Sequence, residues 1–311
     1  MNRPLVTIGI PTYNRADGYL REALGDALAQ TSAPLEIVVS DNASTDGTPE
    51  RVRAMADARV RYVRHETNIG GNANFNACLA HASGAYFLLL HDDDRIDPDF
   101  VATCMDALAR AEPAEPPGLI RTGTRVIDAA GEVLSERRNE ASSGSAADLM
   151  LSWFERRTSM YFCSTLYHTA SLRAVGGFTS PHGLYIDVIA AVRIAADHPV
   201  LDVPDVKAAF RRHGGNHGGV RSIEAWCEDS RFLLDLAVEV AGDRADALRA
   251  MGLRYFSTNN FNRVARLTGA WVRARSYWTV YRYFGFRASP LRFVALRRLR
   301  RWRQSLRGGV A

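Results

Sequence analysis

Lysine is almost absent from this 311-residue chain: Lys207 is its only one, against 38 arginines. Alanine is abundant too, so the preference for arginine is a compositional bias and carries no function by itself. Cysteine is scarce. Cys78, Cys104, Cys163 and Cys227 include no CxxC pair, which excludes a zinc ribbon, a thioredoxin motif and a secreted disulfide framework. No apolar run approaches the roughly 18 residues of a spanning helix. Met1-Asn2-Arg3-Pro4 runs straight into a strand pattern without a leader-like segment, so the expected location is the reducing cytoplasm. Residues 251–311 lack Asp, Glu and Lys altogether, yet hold 14 Arg and 12 aromatic residues. The net charge of +5 therefore hides an acidic body and a basic tail.

What is present is an ordinary globular composition, 47% hydrophobic and 23% charged, long enough for one large domain or one with an appendage. Apolar, β-rich runs at Leu5–Ile10 (stopped by Pro11), Leu35–Ser40, Val60–Val63 and Ala85–Leu90 alternate with helical spacing at Tyr19–Gln30, from Thr48, and at Ala73–Ala82. That order predicts βαβ units, a mainly parallel sheet and helices on both faces. After the loop at 112–118, strands are expected near 119–127, 162–168, 200–203 and 206–211, with helices near 146–155 and 185–196. From Ser222 the chain reads as helical, broken by Gly242, Gly252, Gly269, Gly285 and Pro290.

Ligands of open parallel sheets bind beyond the carboxyl ends of the strands. Three predicted strands end in polar segments: Pro11-Thr12-Tyr13-Asn14-Arg15, Asp41 to Gly47, and His91-Asp92-Asp93-Asp94. Their convergence points to a nucleotide site. Consecutive carboxylates repel and call for raised pKa values or a bound cation, and Mg²⁺ or Mn²⁺ uses one or two carboxylates together with phosphate oxygens. The alternative is a solvated acidic turn that caps the following helix.

The segments Val6–Arg15, Val39–Thr48, Asn68–Asn76 and Leu90–Asp94 resemble, in order and spacing, the family 2 glycosyltransferases of GT-A fold. The resemblance is strong over 5–105, looser over 106–220 and absent beyond. It implies a GT-A catalytic domain over 1–220, with a nucleotide-binding half (1–110) and an acceptor half (111–220). A basic helical extension would follow over 221–311. It also implies an inverting, metal-dependent transferase that uses Mn²⁺ or Mg²⁺. The donor would be a nucleoside-diphosphate sugar, UDP- or dTDP-linked, and the acceptor a glycan or lipid-linked hydroxyl in surface polysaccharide or glycoconjugate synthesis.

The same resemblance places Pro11, Thr12, Tyr13 and Arg15 at the nucleoside, and Asp41 at a pyrimidine N3–H. Asn68 and Asn72 lie near the donor, Asp92 or Asp93 at the ribose, and Asp94 on the metal. Tyr13 as a packing residue and Asp41 as a turn cap are the bland alternatives. Val175-Gly176-Gly177-Phe178 followed by Ile186-Asp187 resembles the turn and helix that carry the family's general base, here Asp187; the usual Glu-Asp pair is Ile-Asp in this chain. The competing role for Asp187 is stabilising a helix N-terminus. Arg211 to Gly219 resembles the late flexible loop, with His213 as a metal ligand and Arg212 and His217 at the diphosphate.

Two rival functions are a nucleotidyltransferase and a non-catalytic sugar-nucleotide- or membrane-binding protein on the same fold. No nucleic-acid motif is present, so nucleic acid is excluded as a partner. The tail, including an amphipathic stretch at 291–306, fits either an anionic membrane surface at the inner face of the cell membrane or a cap on the acidic body.

Overall fold

The computed structural model describes residues 3–16, 18–32, 34–141, 144–214 and 221–285. His217 and the 291–306 stretch lie outside the described residues. The chain divides into two compact units, Met1–Asn216 and His217–Ala311.

In the first unit, β1 (Val6–Thr12), β2 (Leu35–Asp41), β3 (Val60–Arg64) and β4 (Tyr86–Leu89) pair in parallel, in the spatial order β3-β2-β1-β4. The intervening helices are α1 (Tyr19–Leu28), α2 (Thr48–Arg53) and α3 (Gly71–His81). Alternation along the strands sorts side chains to two faces. Val6, Ile8 and Ile10 of β1, with Tyr86 and Leu88 of β4, share a buried cluster with Leu20 and Leu24 of α1 and with Phe100 and Cys104. On the opposite face, a Cβ at Gly9 would lie 2.8 Å from Cys78 of α3 and from the Phe87 ring. Helices therefore cover both faces.

Strand β1 does not stop at Pro11. It pairs with β2 as far as Thr12↔Asp41, whereas its pairing with β4 ends at Gly9. Pro11 thus falls where one neighbour is already gone, and its missing N–H breaks no ladder.

Beyond β4 come β5 (Arg95–Ile96), α4 (Phe100–Ala111), β6 (Leu119–Ile127), β7 (Val133–Arg137) and α5 (Ala146–Phe154). Then follow β8 (Thr165–His168), α6 (Thr169–Ala174), α7 (Ile186–Asp197) and β9 (Val200–Arg211). The sheet continues β4-β8-β6-β9-β5, with β7 on β6. This half is mixed: β8 runs antiparallel to β4 and β6, and β9 parallel to β6. β8 is entered from a single 3-10 turn at Phe162–Ser164, so the expected strand at 162–168 begins only at Thr165. The two strands expected at 200–203 and 206–211 are one. β9 passes through Pro204 with its register on β6 shifted between Arg121 and Gly123 and again between Gly123 and Thr124.

As a result β1, β2, β4, β6 and β9 deliver their carboxyl ends, and β8 its amino end, to one edge. The sheet's interior also holds an ion pair, Arg121 to Asp202, with both side chains almost fully buried. Asn139 Nδ2 donates to Asp202 Oδ1 at 2.8 Å and to the Arg121 carbonyl at 3.0 Å.

In the second unit, α8 (Ile223–Glu239), α9 (Ala245–Val264) and α10 (Ala270–Phe284) pack together. Gly252 does not break the chain. It lies on the buried face of α9 with Leu248, Leu253 and Phe256, where packing outweighs a helix-propensity cost of about 1 kcal/mol. Gly269 and Gly285 do bound α10.

Removing one member of a buried pair strands the other's charge. Asp202→Ala is expected to lower unfolding stability by about 3–5 kcal/mol, read by urea denaturation. A loss below about 1 kcal/mol would mean that Arg121 finds another partner at no cost.

Candidate functional site

The acidic turn after β4 is the centre of that edge. Asp92 and Asp94 are buried, and Asp93 is partly exposed. Thr12 Oγ1 at the end of β1 donates to Asp92 Oδ2 at 2.8 Å, and Arg15 Nε stands 3.7 Å from the same oxygen. Burial, then the Asp93 charge, push the Asp92 carboxyl up to about 7 against the pull of Arg15, Thr12 and the Tyr13 N–H. Asp94 is driven well above the usual carboxylate range by the same two causes. The Arg211 N–H donates to its Oδ1 at 2.8 Å, and the Cys163 thiol bonds to it as well.

Arg211 underlies the turn. Its Nε donates to the Asp93 carbonyl at 2.8 Å and its Nη2 to Glu22 Oε2 at 2.7 Å, while Nη1 reaches the Asp128 and Ala129 carbonyls past the end of β6. Its guanidinium also lies 4.3 Å from the centre of the Tyr19 ring. His213 Nε2 stands 2.7 Å from Asp93 Oδ2.

His91, Asp93 and Asp94 can each offer one ligand atom, and these atoms all lie within 4.8 Å of one another. Two carboxylates and an imidazole suit a divalent cation with mixed oxygen and nitrogen preference. Burial first, and then the neighbouring Asp93 charge, hold Asp94 upward against the Arg211 N–H and the Cys163 thiol, and a cation among these oxygens would relieve both, so the residues fit a metal. The His91 ring sits between Phe75 and Phe162, 4.7 and 4.9 Å away by ring centres.

The loop after β2 is tied back to the loop after β1. Asn14 N–H donates to Ser44 Oγ, Thr45 N–H to Asn14 Oδ1 and Arg15 N–H to Thr48 Oγ1, at 2.8, 2.8 and 2.9 Å. Asp41, wholly buried, accepts the Ser44 N–H at 2.9 Å and the Tyr62 hydroxyl at 2.5 Å. It therefore organises the turn. Pro11 is buried beside Thr12, whereas Tyr13 is exposed. Asn68 is exposed and bonded to Asn42 at 2.9 Å. A Cβ on Gly183 would lie 2.3 Å from Asn72 Nδ2, so Asn72 faces the loop before α7.

Asp187 lies in the first turn of α7, partly exposed, and its Oδ1 takes the Val188 N–H at 2.9 Å. Burial pushes its carboxyl up to about 6. Burial raises the phenol of Tyr161, and the charges of Arg212, Asp187 and Asp94 all act on it. The Arg212 side chain is exposed, and its N–H donates to the Ile127 carbonyl at 2.8 Å.

Residues without an assigned role in the sequence do much of the positioning. His91 stood inside the acidic run and Arg211 next to Arg212; that adjacency was their only signal. Cys163 and Tyr161 gave none. Asn76 pairs with the backbone of Phe178 in both directions, accepting its N–H at 2.8 Å and donating to its carbonyl at 3.0 Å.

Residues 7–115 match the family model "Glycosyl transferase family 2". A succinoglycan biosynthesis protein, ExoO of Rhizobium meliloti, is 40% identical over 96 residues, which are 31% of this chain and 27% of that protein. The abequosyltransferase RfbV of Salmonella typhimurium is 38% identical over 103 residues, 32% of this chain and 31% of that one. The matched part thus spans less than a third of either relative. Among solved structures, S. aureus TarS 1–349 in complex with UDP-GlcNAc superimposes with a TM-score of 0.67 at 16% identity, covering 88% of this chain and 79% of TarS. The mannosyltransferase PcManGT of Pyrobaculum calidifontis, in complex with GDP-Man and Mn²⁺, gives 0.54 at 19% identity, over 94% and 85%. The fold is that of these GT-A enzymes.

Gly177 has φ +70°, and a Cβ there would lie 2.3 Å from Asn76 Oδ1. Gly177→Ala is therefore expected to cost about 1–3 kcal/mol, measured by chemical denaturation. An unchanged midpoint would mean that the turn is not held by Asn76.

Proposed function

We propose that this chain, whose residues 7–115 are a family 2 glycosyltransferase domain, moves a sugar from a nucleoside diphosphate to an acceptor hydroxyl with inversion at the anomeric carbon. The observation that carries the reading is the pairing of two acidic centres with different surroundings. One is the crowded turn Asp92–Asp94; the other is the solitary Asp187 at the start of a helix.

The donor is a UDP or dTDP sugar. Pro11, Thr12, Tyr13 and Arg15 border its nucleoside, with Asn68 and Asn72 at the rim. Asp41, already steadied by Tyr62 and Ser44, takes the base N3–H, and Asp92 or Asp93 the ribose. His91, Asp93 and Asp94 would hold the divalent cation, with His213 alongside on Asp93. When bound, the cation supplies positive charge that neutralises the departing diphosphate. Arg212, and His217 beyond the described residues, add to that charge.

Asp187 takes the proton of the acceptor hydroxyl as its oxygen attacks the anomeric carbon. The bond to the diphosphate oxygen breaks on the opposite face, and its electron pair leaves with the diphosphate. A carboxyl shifted up to about 6 is ionised at neutral pH yet basic enough to accept a proton. The acceptor is a glycan or a lipid-linked intermediate of surface polysaccharide synthesis, and a peripheral position at the inner face of the cell membrane belongs to the same reading.

Asp187→Asn is expected to keep donor binding while transfer falls by ~10²–10⁴. Wild-type turnover should rise with pH through about 6, because the base acts only when deprotonated; the variant's residual rate should lack that step. A loss below tenfold, or an unchanged pH profile, would move the base elsewhere.

Asp94→Ala removes a carboxylate from the cation cluster. Calorimetry should then show Mn²⁺-dependent UDP binding lost, with metal-independent binding little changed. Undiminished Mn²⁺ dependence would exclude Asp94 as a ligand.

A further inference from the structure

Helix α10 presents two faces of opposite character. Its inner face is spent on the second unit's own core. Ser276, Val280, Tyr281 and Phe284 are buried, and Phe261 of α9 lies 5.7 and 5.5 Å from the rings of Tyr277 and Tyr281. The carboxylates of α8 near this helix are engaged as well: Glu224 accepts from Thr279 at 3.2 Å and Glu228 from Tyr283 at 2.7 Å.

The outer face carries Trp271, Arg275, Trp278 and Arg282 at i, i+4, i+7 and i+11, which is one stripe of an α-helix. Trp271 is 88% and Trp278 59% exposed; Val272 and Leu267 add further exposed apolar surface. Arg275 and Arg282 are exposed, and among the described residues neither has a carboxylate within ion-pair distance. The sequence holds no acidic residue after Asp246.

Two tryptophans this exposed on one helix face are costly in water and mark an interaction surface. Indole rings interleaved with unpaired arginines match a bilayer's headgroup zone. There the ring settles between headgroups and acyl chains, and the guanidinium reaches anionic phosphates along its own apolar stem. A protein partner of the same charge logic would need an acidic, aromatic-accepting surface. The uniform absence of acid along 247–311 instead favours an extended negative plane over a patterned patch.

We propose that the Trp271–Arg275–Trp278–Arg282 stripe of α10 is a surface that docks onto anionic phospholipid bilayers. No helix among the described residues is long and apolar enough to cross a membrane, so the contact is interfacial. This deepens the peripheral location in the proposed function without depending on sugar transfer. Its test reads lipid partition and not turnover, so either reading can fail alone.

The experiment is co-sedimentation of the full chain with vesicles of phosphatidylcholine alone or mixed with phosphatidylglycerol. Wild-type protein is expected to prefer the anionic vesicles by about tenfold or more. The preference should decline with salt, as the Debye length contracts from ~10 Å at 0.1 M to ~3 Å at 1 M. W271S/W278S should weaken partition onto anionic vesicles about tenfold with an unchanged melting temperature, since both rings are exposed. R275Q/R282Q should reduce the anionic preference while leaving binding to phosphatidylcholine as it was. Partition of both variants within twofold of wild type would overturn the proposal, leaving any lipid binding to other arginines. Absence of wild-type binding to anionic vesicles at low salt would overturn it outright. So would a stripe variant that binds lipid normally but turns a wild-type dimer into a monomer in sedimentation equilibrium, for the face would then join two copies of this chain.

Discussion

The constraint on which the rest of the first unit depends is electrostatic: three successive carboxylates occupy one turn, two of them out of water. Such a turn is unstable unless its charge is offset or its protons are retained. The fold answers with Arg211. That one side chain meets the Asp93 carbonyl, the carbonyls beyond β6, Glu22 of α1 and the face of Tyr19, while its own N–H meets Asp94. The ends of β4, β6 and β9 and the first turn of α1 are thereby fixed around a single cation. This also explains why β9 has to run as one long strand. Breaking it at Pro204, as its sequence invites, would leave Arg211 without a rigid support beneath the turn.

Much of this edge was legible because it is local. The apolar run of β4 followed by His-Asp-Asp-Asp announces a buried strand with a charged end, and the ends of β1 and β2 repeat the pattern. What was not legible was the set of partners. Asp94 and Arg211 are 117 positions apart, and nothing in Arg-Arg-His says which arginine turns inward; the register of β9 on β6 decides it. Likewise β7 is exposed at every position and β5 has two residues, so neither leaves a hydrophobic period to read. Gly252 misled for the complementary reason: a propensity rule spoke where helix packing decided.

Helix α3 shows how polar side chains can substitute for backbone pairing. Asn74 exchanges hydrogen bonds with Ser40, accepting from its hydroxyl at 2.7 Å and donating to its carbonyl at 3.0 Å. Two residues on, and so on the other side of the helix, Asn76 does the same for the backbone of Phe178. The helix thus clamps the end of β2 on one side and the Gly-Gly-Phe turn on the other. Because that turn leads into α7, the position of Asp187 relative to the strand ends depends on amide side chains that a pattern search would assign to solvent.

The two acidic centres differ in what raises their pKa values, and the difference bears on their proposed roles. Asp94 is elevated by burial and then by neighbouring carboxylates. Like-charge repulsion is relieved most directly by a cation shared among the same oxygens. Asp187 is elevated by burial alone, opposed only by the N–H groups of its own helix turn. With no carboxylate charge among the described residues contributing to its shift and the positive end of a helix beneath it, it has no surplus negative charge to attract a metal. Burial does leave it a greater appetite for a proton than an exposed aspartate has. Environments that push two carboxylates toward protonation by different routes thereby separate a cation-holding site from a proton-accepting one, as the proposed transfer requires.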